Sequence, residues 1–206
     1  RVAIAHYRRA IAIQPDAQTY NNLGNVQKRL GQLNDAFASF RLALDAEPDC
    51  AEAHCNLGLA LQETGQYEQA LASLQMACQL QPNSALFHCN IVTVLLDLNR
   101  IGDAQNSCQR ALELDPDMVE ANSNMGNVQL AMGLLSDAAA SFERALELAP
   151  NYTKARHNLS HAQLAMGQLA RGWTNYEYRI DEHRNSRAGT RLPQWSGQAV
   201  AQRVRL

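Results

Sequence analysis

The sequence lacks any apolar run long enough to span a bilayer, which excludes a transmembrane helix. It lacks a dominant charge sign. Eighteen basic and 20 acidic residues leave a net charge of −2 over 206 residues, with no general footprint for nucleic acid. At 46% hydrophobic and 18% charged, the chain is too apolar for general disorder. β-Branched residues are scarce: Ile, Val and Thr total 20, against 59 Ala and Leu. Since Ala and Leu favour helices and β-branched residues favour strands, an all-α fold is expected. Five cysteines (Cys50, Cys55, Cys78, Cys89, Cys108) show no CxxC spacing and no even count. That argues against a disulfide framework or a zinc site and for reduced thiols in a cytoplasmic protein. No glycine-rich phosphate loop, Ser/His/Asp set or pair of catalytic carboxylates stands out. No cofactor and no activity of the chain by itself are therefore expected. The first residue is Arg, and no targeting segment is visible.

What the sequence has is a repeat. Pro15, Pro48, Pro82, Pro116 and Pro150 are separated by 33, 34, 34 and 34 residues. With proline as position 32 of each unit, other positions recur. Position 8 reads Gly24, Gly58, Val92, Gly126 and Ser160. Position 20 reads Ala36, Ala70, Ala104 and Ala138. Position 24 reads Phe40, Leu74, Cys108 and Phe142, and position 27 reads Ala43, Ala77, Ala111 and Ala145. Small residues at 8, 20 and 27 let two helices approach, and larger ones at 24 fill the space between. Gly31, Gly65 and Gly133 suit a left-handed helix C-cap. Asp16, Asp49, Asn83, Asp117 and Asn151 follow the prolines and are expected to cap the next helix. Asp49 with Glu52, and Asp117 with Glu120, have capping-box spacing.

These residues resemble the tetratricopeptide repeat family, over about residues 1 to 180. The resemblance implies a right-handed superhelix of stacked antiparallel helix pairs, a solenoid that binds proteins. Residues 1–16 read as the second half of a repeat, which implies that the natural protein extends upstream. Repeats span 17–50, 51–84, 85–118 and 119–152, and a degenerate capping repeat spans 153–184. In that last unit Gly172 replaces Ala at position 20. Residues 185–206 read as an extended tail. Exposed solenoid ends make self-association an expected property.

At 100° per residue, positions 4, 7, 8, 11 and 14 of the first helix share a core face, and positions 2, 5, 6, 9 and 13 lie opposite. In the tetratricopeptide family the latter face lines the concave groove. Position 6 reads Asn22, Asn56, Asn90, Asn124 and Asn158. Asn costs about 0.5 kcal/mol against Ala inside a helix, so five in register call for a reason. An amide both donates and accepts, as a peptide unit does, so the row suits an extended peptide backbone. The alternative is that each Asn bonds a neighbouring helix. Asn25 and Asn127 at position 9 and Ser123 at position 5 complete the expected peptide site. The row resembles the superhelix of O-linked N-acetylglucosaminyltransferases, in which position-6 asparagines hold the substrate backbone. Asn90-Ile91-Val92 and Asn158-Leu159-Ser160 keep the Asn but lose the following Gly, which predicts altered helix packing there. Position 5 has no Lys and position 6 no Arg, so capture of an acidic chaperone C-terminus is not expected.

His157 and His161 share a helix face at a spacing that suits a transition metal, but two ligands are incomplete, and no metal is expected. His54-Cys55 and His88-Cys89 recur one period apart; the histidines are read as packing residues and the cysteines as small polar surface residues, rather than as a metal site. Trp173-Thr174-Asn175-Tyr176-Glu177-Tyr178-Arg179, with Pro193-Gln194-Trp195-Ser196-Gly197, resembles the junction of bacterial tetratricopeptide glycosyltransferase-like proteins. That resemblance implies a nucleotide-sugar-binding domain beyond Leu206 and a substrate-recruiting role for the repeats. A scaffold with no linked enzyme is the other reading. Residues 171–206 carry seven Arg against three acidic residues, read as a solvated tail rather than a nucleic-acid site.

Overall fold

The computed structural model describes residues 2–186, with side chains described for residues 3–178. The motif around Trp195 and the segment Val204–Leu206 lie outside the described residues. Among the described residues there are eleven helices and no strands. α1 (Val2–Ile13) stands alone in sequence. The pairs α2 (Ala17–Arg29) and α3 (Leu33–Ala46), α4 (Ala51–Glu63) and α5 (Tyr67–Leu80), α6 (Ala85–Asp97) and α7 (Ile101–Leu114), α8 (Val119–Ala131) and α9 (Leu135–Leu148) follow. α10 (Thr153–Ala165) and α11 (Leu169–Ser186) end the series. Asn185 and Ser186, expected in the tail, are helical. The pairs stack into an all-α superhelix.

Each first helix stops at a left-handed residue: Gly31, Gly65, Gly133 and Gly167 have φ between 73° and 78°, and Asn99 takes the same place at 56°. The turn closes with paired backbone bonds, Gln32 N to Gln27 O and Gly31 N to Lys28 O, both 2.9 Å. The second helices α3, α5, α7 and α9 each stop at the residue before proline, which proline's ring pushes into extended geometry, as at Glu47 (φ −144°, ψ 93°).

The turn after proline departs from expectation. Only Asp16 caps a helix as anticipated, accepting from Thr19 N at 2.8 Å. The first loop is one residue shorter than the others, which is what the 33-residue interval records, and the deletion brings Asp16 next to α2. Elsewhere the N-caps are Cys50, Ser84, Met118 and Tyr152, so Asp49, Asn83, Asp117 and Asn151 sit one residue too early. Asp117 is instead held by Arg144 at 2.8 Å. The loops are secured by position 4, a core register by sequence. His54 Nε2 lies 2.8 Å from the carbonyl of Pro48 and His88 Nε2 lies 3.0 Å from that of Pro82. Asn122 Nδ2 donates to Pro116 O at 3.0 Å and Arg156 Nη2 to Pro150 O at 2.6 Å. Three kinds of side chain thus satisfy the equivalent carbonyl in four repeats, each six residues back.

Packing inside a pair is set by positions 8 and 24. A Cβ on Gly24 would lie 2.5 Å from Phe40 Cε1, and one on Gly126 would meet Phe142 at the same distance. Gly58 faces Leu74 at 2.7 Å. Val92 breaks the glycine pattern without opening the pair. Position 24 falls there to Cys108, and both residues are fully buried in one apolar cluster. The bulk moves from one helix to the other and the helices still pack. Gly172 likewise marks close approach rather than decay: it is buried, and a Cβ there would lie 2.7 Å from Leu164 Cγ.

Candidate functional site

Among the described residues, first helices of successive repeats touch one another (α2 with α4, α4 with α6, α6 with α8, α8 with α10), whereas second helices do not. The stack is therefore closed on its first-helix side, and that side is concave. Its seam is polar. Lys28 pairs with Glu63 at 3.3 Å, and Gln62 Nε2 donates to Thr93 Oγ1 at 3.0 Å and to Asp97 Oδ2 at 2.8 Å.

All five position-6 asparagines lie along this side, half-buried. Four of them reach back to the preceding repeat. Asn56 Nδ2 donates to Asn21 Oδ1 at 2.9 Å, and Asn90 Nδ2 to Cys55 Sγ at 3.3 Å. Asn124 Nδ2 donates to Cys89 O and Cys89 Sγ, both 3.3 Å. Asn158 Nδ2 donates to Asn127 Oδ1 at 2.7 Å. Asn22 differs: its Oδ1 accepts from Gln18 Nε2 of its own helix at 3.2 Å. The bonds to a neighbouring helix, which the sequence leaves as an alternative to ligand binding, are thus present in four rungs.

Position 5 is a groove register by sequence. Asn21, Cys55, Cys89 and Ser123 are instead only 2–4% exposed, wedged between neighbouring first helices, where they receive the asparagine amides or form the groove floor. A one-position step along a helix rotates the side chain by about 100°, enough to pass from groove to seam.

A cleft of about 380 Å³ opens over α6, α8 and α10. Asn90, Asn124 and Asn158 line it together with Asn127 and Ser123, so five of the eight anticipated site residues converge. Asn22, Asn25 and Asn56 lie outside it. Its walls add residues not anticipated in the peptide site: Glu120 and Lys154 bring opposite charges, and Tyr152 and His157, the latter noted in the sequence only for its spacing to His161, bring aromatic surface. Glu120 and Lys154 both fall at position 2, a groove register that marks them. Tyr152 is the N-cap of α10, in a loop register that carries no groove signal.

The electrostatics do not favour covalent chemistry. Burial pushes the Cys89 thiol up to about 11 and the Cys108 thiol up to about 12, so neither is a thiolate near neutrality. Burial also raises the Tyr152 hydroxyl, with smaller contributions from Glu120 and Cys89. His157 and His161 approach at 3.3 Å between Nε2 atoms, and Tyr176 stacks on His157 at 6.1 Å. Trp173 meets Tyr176 edge-on at 5.5 Å. Among the described residues no three His, Cys, Asp or Glu side chains cluster so as to hold a metal ion. No described helix is long and apolar enough to cross a membrane.

Three tetratricopeptide repeat family models match, at residues 17–50, 51–84 and 89–153. Solved structures share the architecture. YrrB, described as a tetratricopeptide protein with an unusual peptide-binding site, is 22% identical at a TM-score of 0.64, covering 86% of this chain and 93% of its own. PilW, a type IV pilus biogenesis factor, is 24% identical at a TM-score of 0.75, covering 80% of this chain and 78% of its own. A thermophilic tetratricopeptide protein of Thermus thermophilus is 22% identical at a TM-score of 0.72, covering 80% of this chain and 90% of its own. At these identities the likeness establishes the fold. None of the curated proteins matches the chain.

Proposed function

From the premise that the chain belongs to the tetratricopeptide repeat family, a family of non-catalytic interaction modules, we propose that it binds an extended peptide segment of a partner protein along its concave face. The observation that carries this reading is the cleft over α6, α8 and α10. It gathers three amides of one register between a carboxylate and an ammonium group. Amides at a regular spacing suit a backbone, and the flanking charges suit side chains that differ between ligands. YrrB, of the same fold, has a peptide-binding site, which supports the class of ligand.

The finer role is the recruitment of substrate for a glycosyltransferase-like protein. Its support is the asparagine row and the Trp173–Arg179 motif, both read as resemblances. A scaffold that assembles a complex without linked chemistry makes the same use of the groove. Changing Asn56, Asn90 and Asn124 together to Ala is expected to weaken peptide binding at least tenfold while helicity by circular dichroism stays intact. Unchanged affinity in a titration would overturn the groove reading. Raising salt from about 50 to 200 mM is expected to matter little, because backbone recognition is only weakly screened.

A further inference from the structure

Four rungs share a polarity that the residue type alone does not specify. In Asn56, Asn90, Asn124 and Asn158 the amide nitrogen is the atom committed to the preceding repeat. At Asn124 the direction is unambiguous, since the Cys89 carbonyl can only accept. No described residue donates to Oδ1 of any of the four. These oxygens are not sealed in the interior either. Among the described residues the one fully buried side-chain N or O atom without a partner is Arg156 Nε, so each of these oxygens reaches solvent. Asn22 has the reverse arrangement, with its oxygen taken by Gln18.

We infer that Asn56, Asn90, Asn124 and Asn158 form a one-way acceptor row, pinned through Nδ2 to the repeat before and presenting Oδ1 to the backbone N–H groups of an extended peptide. The inference rests on the groove reading above and specifies which half of the peptide unit is recognised. Two physical consequences support it. A side chain already held by one hydrogen bond loses less rotamer freedom when it makes a second, so pinning favours binding. And a row of one polarity accepts an extended strand only in registers that turn donors toward it. That excludes a proline, which has no N–H, at each contacted residue. Asn21, Cys55, Cys89 and Asn127 are then positioning residues that set the direction of the row without touching the ligand through the pinning atom.

The test starts from a random 12-residue peptide library selected on the full chain, with a fluorescein-labelled selected peptide as the probe. Each backbone amide of the probe is replaced in turn by an ester, which removes one N–H and leaves the side chains alone. Anisotropy titrations are expected to show losses of about fivefold or more at a few recurring positions. Against Asn90→Ala or Asn124→Ala, one of those losses is expected to shrink below about twofold, as a coupled pair requires. An ester scan that is flat for a probe still weakened by the triple Ala variant overturns the acceptor row and leaves the groove reading standing. Probes indifferent to the triple variant, or a library without binders, overturn the groove reading and the inference with it.

Discussion

The central repeats and those flanking them solve the same packing problem with different chemistry. In α2–α3 and α8–α9 a phenylalanine at position 24 fills the space over a glycine, and a polar bridge joins the pair beside it. Ser39 Oγ donates to Gln27 Oε1 at 2.6 Å, and Ser141 Oγ to Gln129 Oε1 at 2.7 Å. The α10–α11 pair keeps the bridge, with Asn175 Nδ2 on Gln163 Oε1 at 2.9 Å. In α4–α5 and α6–α7 the same register holds Leu61 and Leu95, and the position-24 residues shrink to Leu74 and Cys108. These two pairs merge into one apolar cluster that reaches Val128, whereas the N-terminal repeat divides its core into smaller clusters. A repeat unit therefore keeps volume and satisfied polarity, not residue identity.

The comparison can be broken most severely at position 24. Phe142→Ala is expected to cost about 3–5 kcal/mol, because a fully buried ring leaves a cavity that Gly126 cannot fill. Cys108→Ala, at the same register, removes one buried sulfur and is expected to cost about 1 kcal/mol. Urea unfolding of the two variants measures the ratio. A smaller effect separates volume from identity. Cys108→Phe alone overpacks against Val92 at about 1–3 kcal/mol, and Val92→Gly alone leaves a void. Together they recreate the flanking arrangement, and the double variant is expected to be more stable than additivity allows by about 1–3 kcal/mol.

The polar bridge gives the next pair. Ser39→Ala strands the buried Gln27 amide and is expected to cost about 1–3 kcal/mol. Gln27→Leu copies the central repeats and is expected to stay within about 1 kcal/mol of the parent. Equal losses in both would mean that the bridge, and not its satisfaction, is what the repeat requires.

Alkaline titration distinguishes the regions through their thiols. Burial raises Cys108 from the ordinary value of 9.0 to about 12 and Cys78 to about 11. A raised native pKa means that the folded chain holds its protons longer. The associated stability is complete below about pH 9 and is lost as pH climbs toward about 11 to 12. Cys108→Ala is expected to flatten that loss, as read from the unfolding midpoint between about pH 8 and 11. The smallest effect is at Asn99, where the third repeat uses Asn for a left-handed turn that the others give to glycine. Asn99→Gly is expected to raise stability by up to about 1 kcal/mol in thermal unfolding.

Much of this architecture is legible in the sequence because proline, glycine and alanine act through local geometry. Pro48 ends a helix, Gly65 turns one, and Ala70 permits close approach, wherever in the chain they stand. The caps are not legible in the same way. Asp16 and Asp49 follow identical prolines while their loops differ by one residue, and that residue decides which side chain faces the free N–H groups. The exchange of bulk between Val92 and Cys108 escapes a position-by-position reading because it is a property of two positions taken together. At the site, the periodic asparagines mark the first-helix faces that lie along the concave side. Their hydrogen-bond direction is not legible, since it depends on the residue 35 places earlier in three of the rungs, where position 5 supplies an amide or a thiol. Tyr152 enters the cleft from a loop, where no periodicity marks it.

The backward hydrogen bonds of the asparagines have a mechanical consequence. They cross from one repeat to the next on the inner side of the curve, so the atoms that gauge the spacing between repeats belong to the same side chains that would grip a ligand. The pitch of the superhelix and the spacing of the amides along the groove are therefore one quantity, fixed by the same hydrogen bonds.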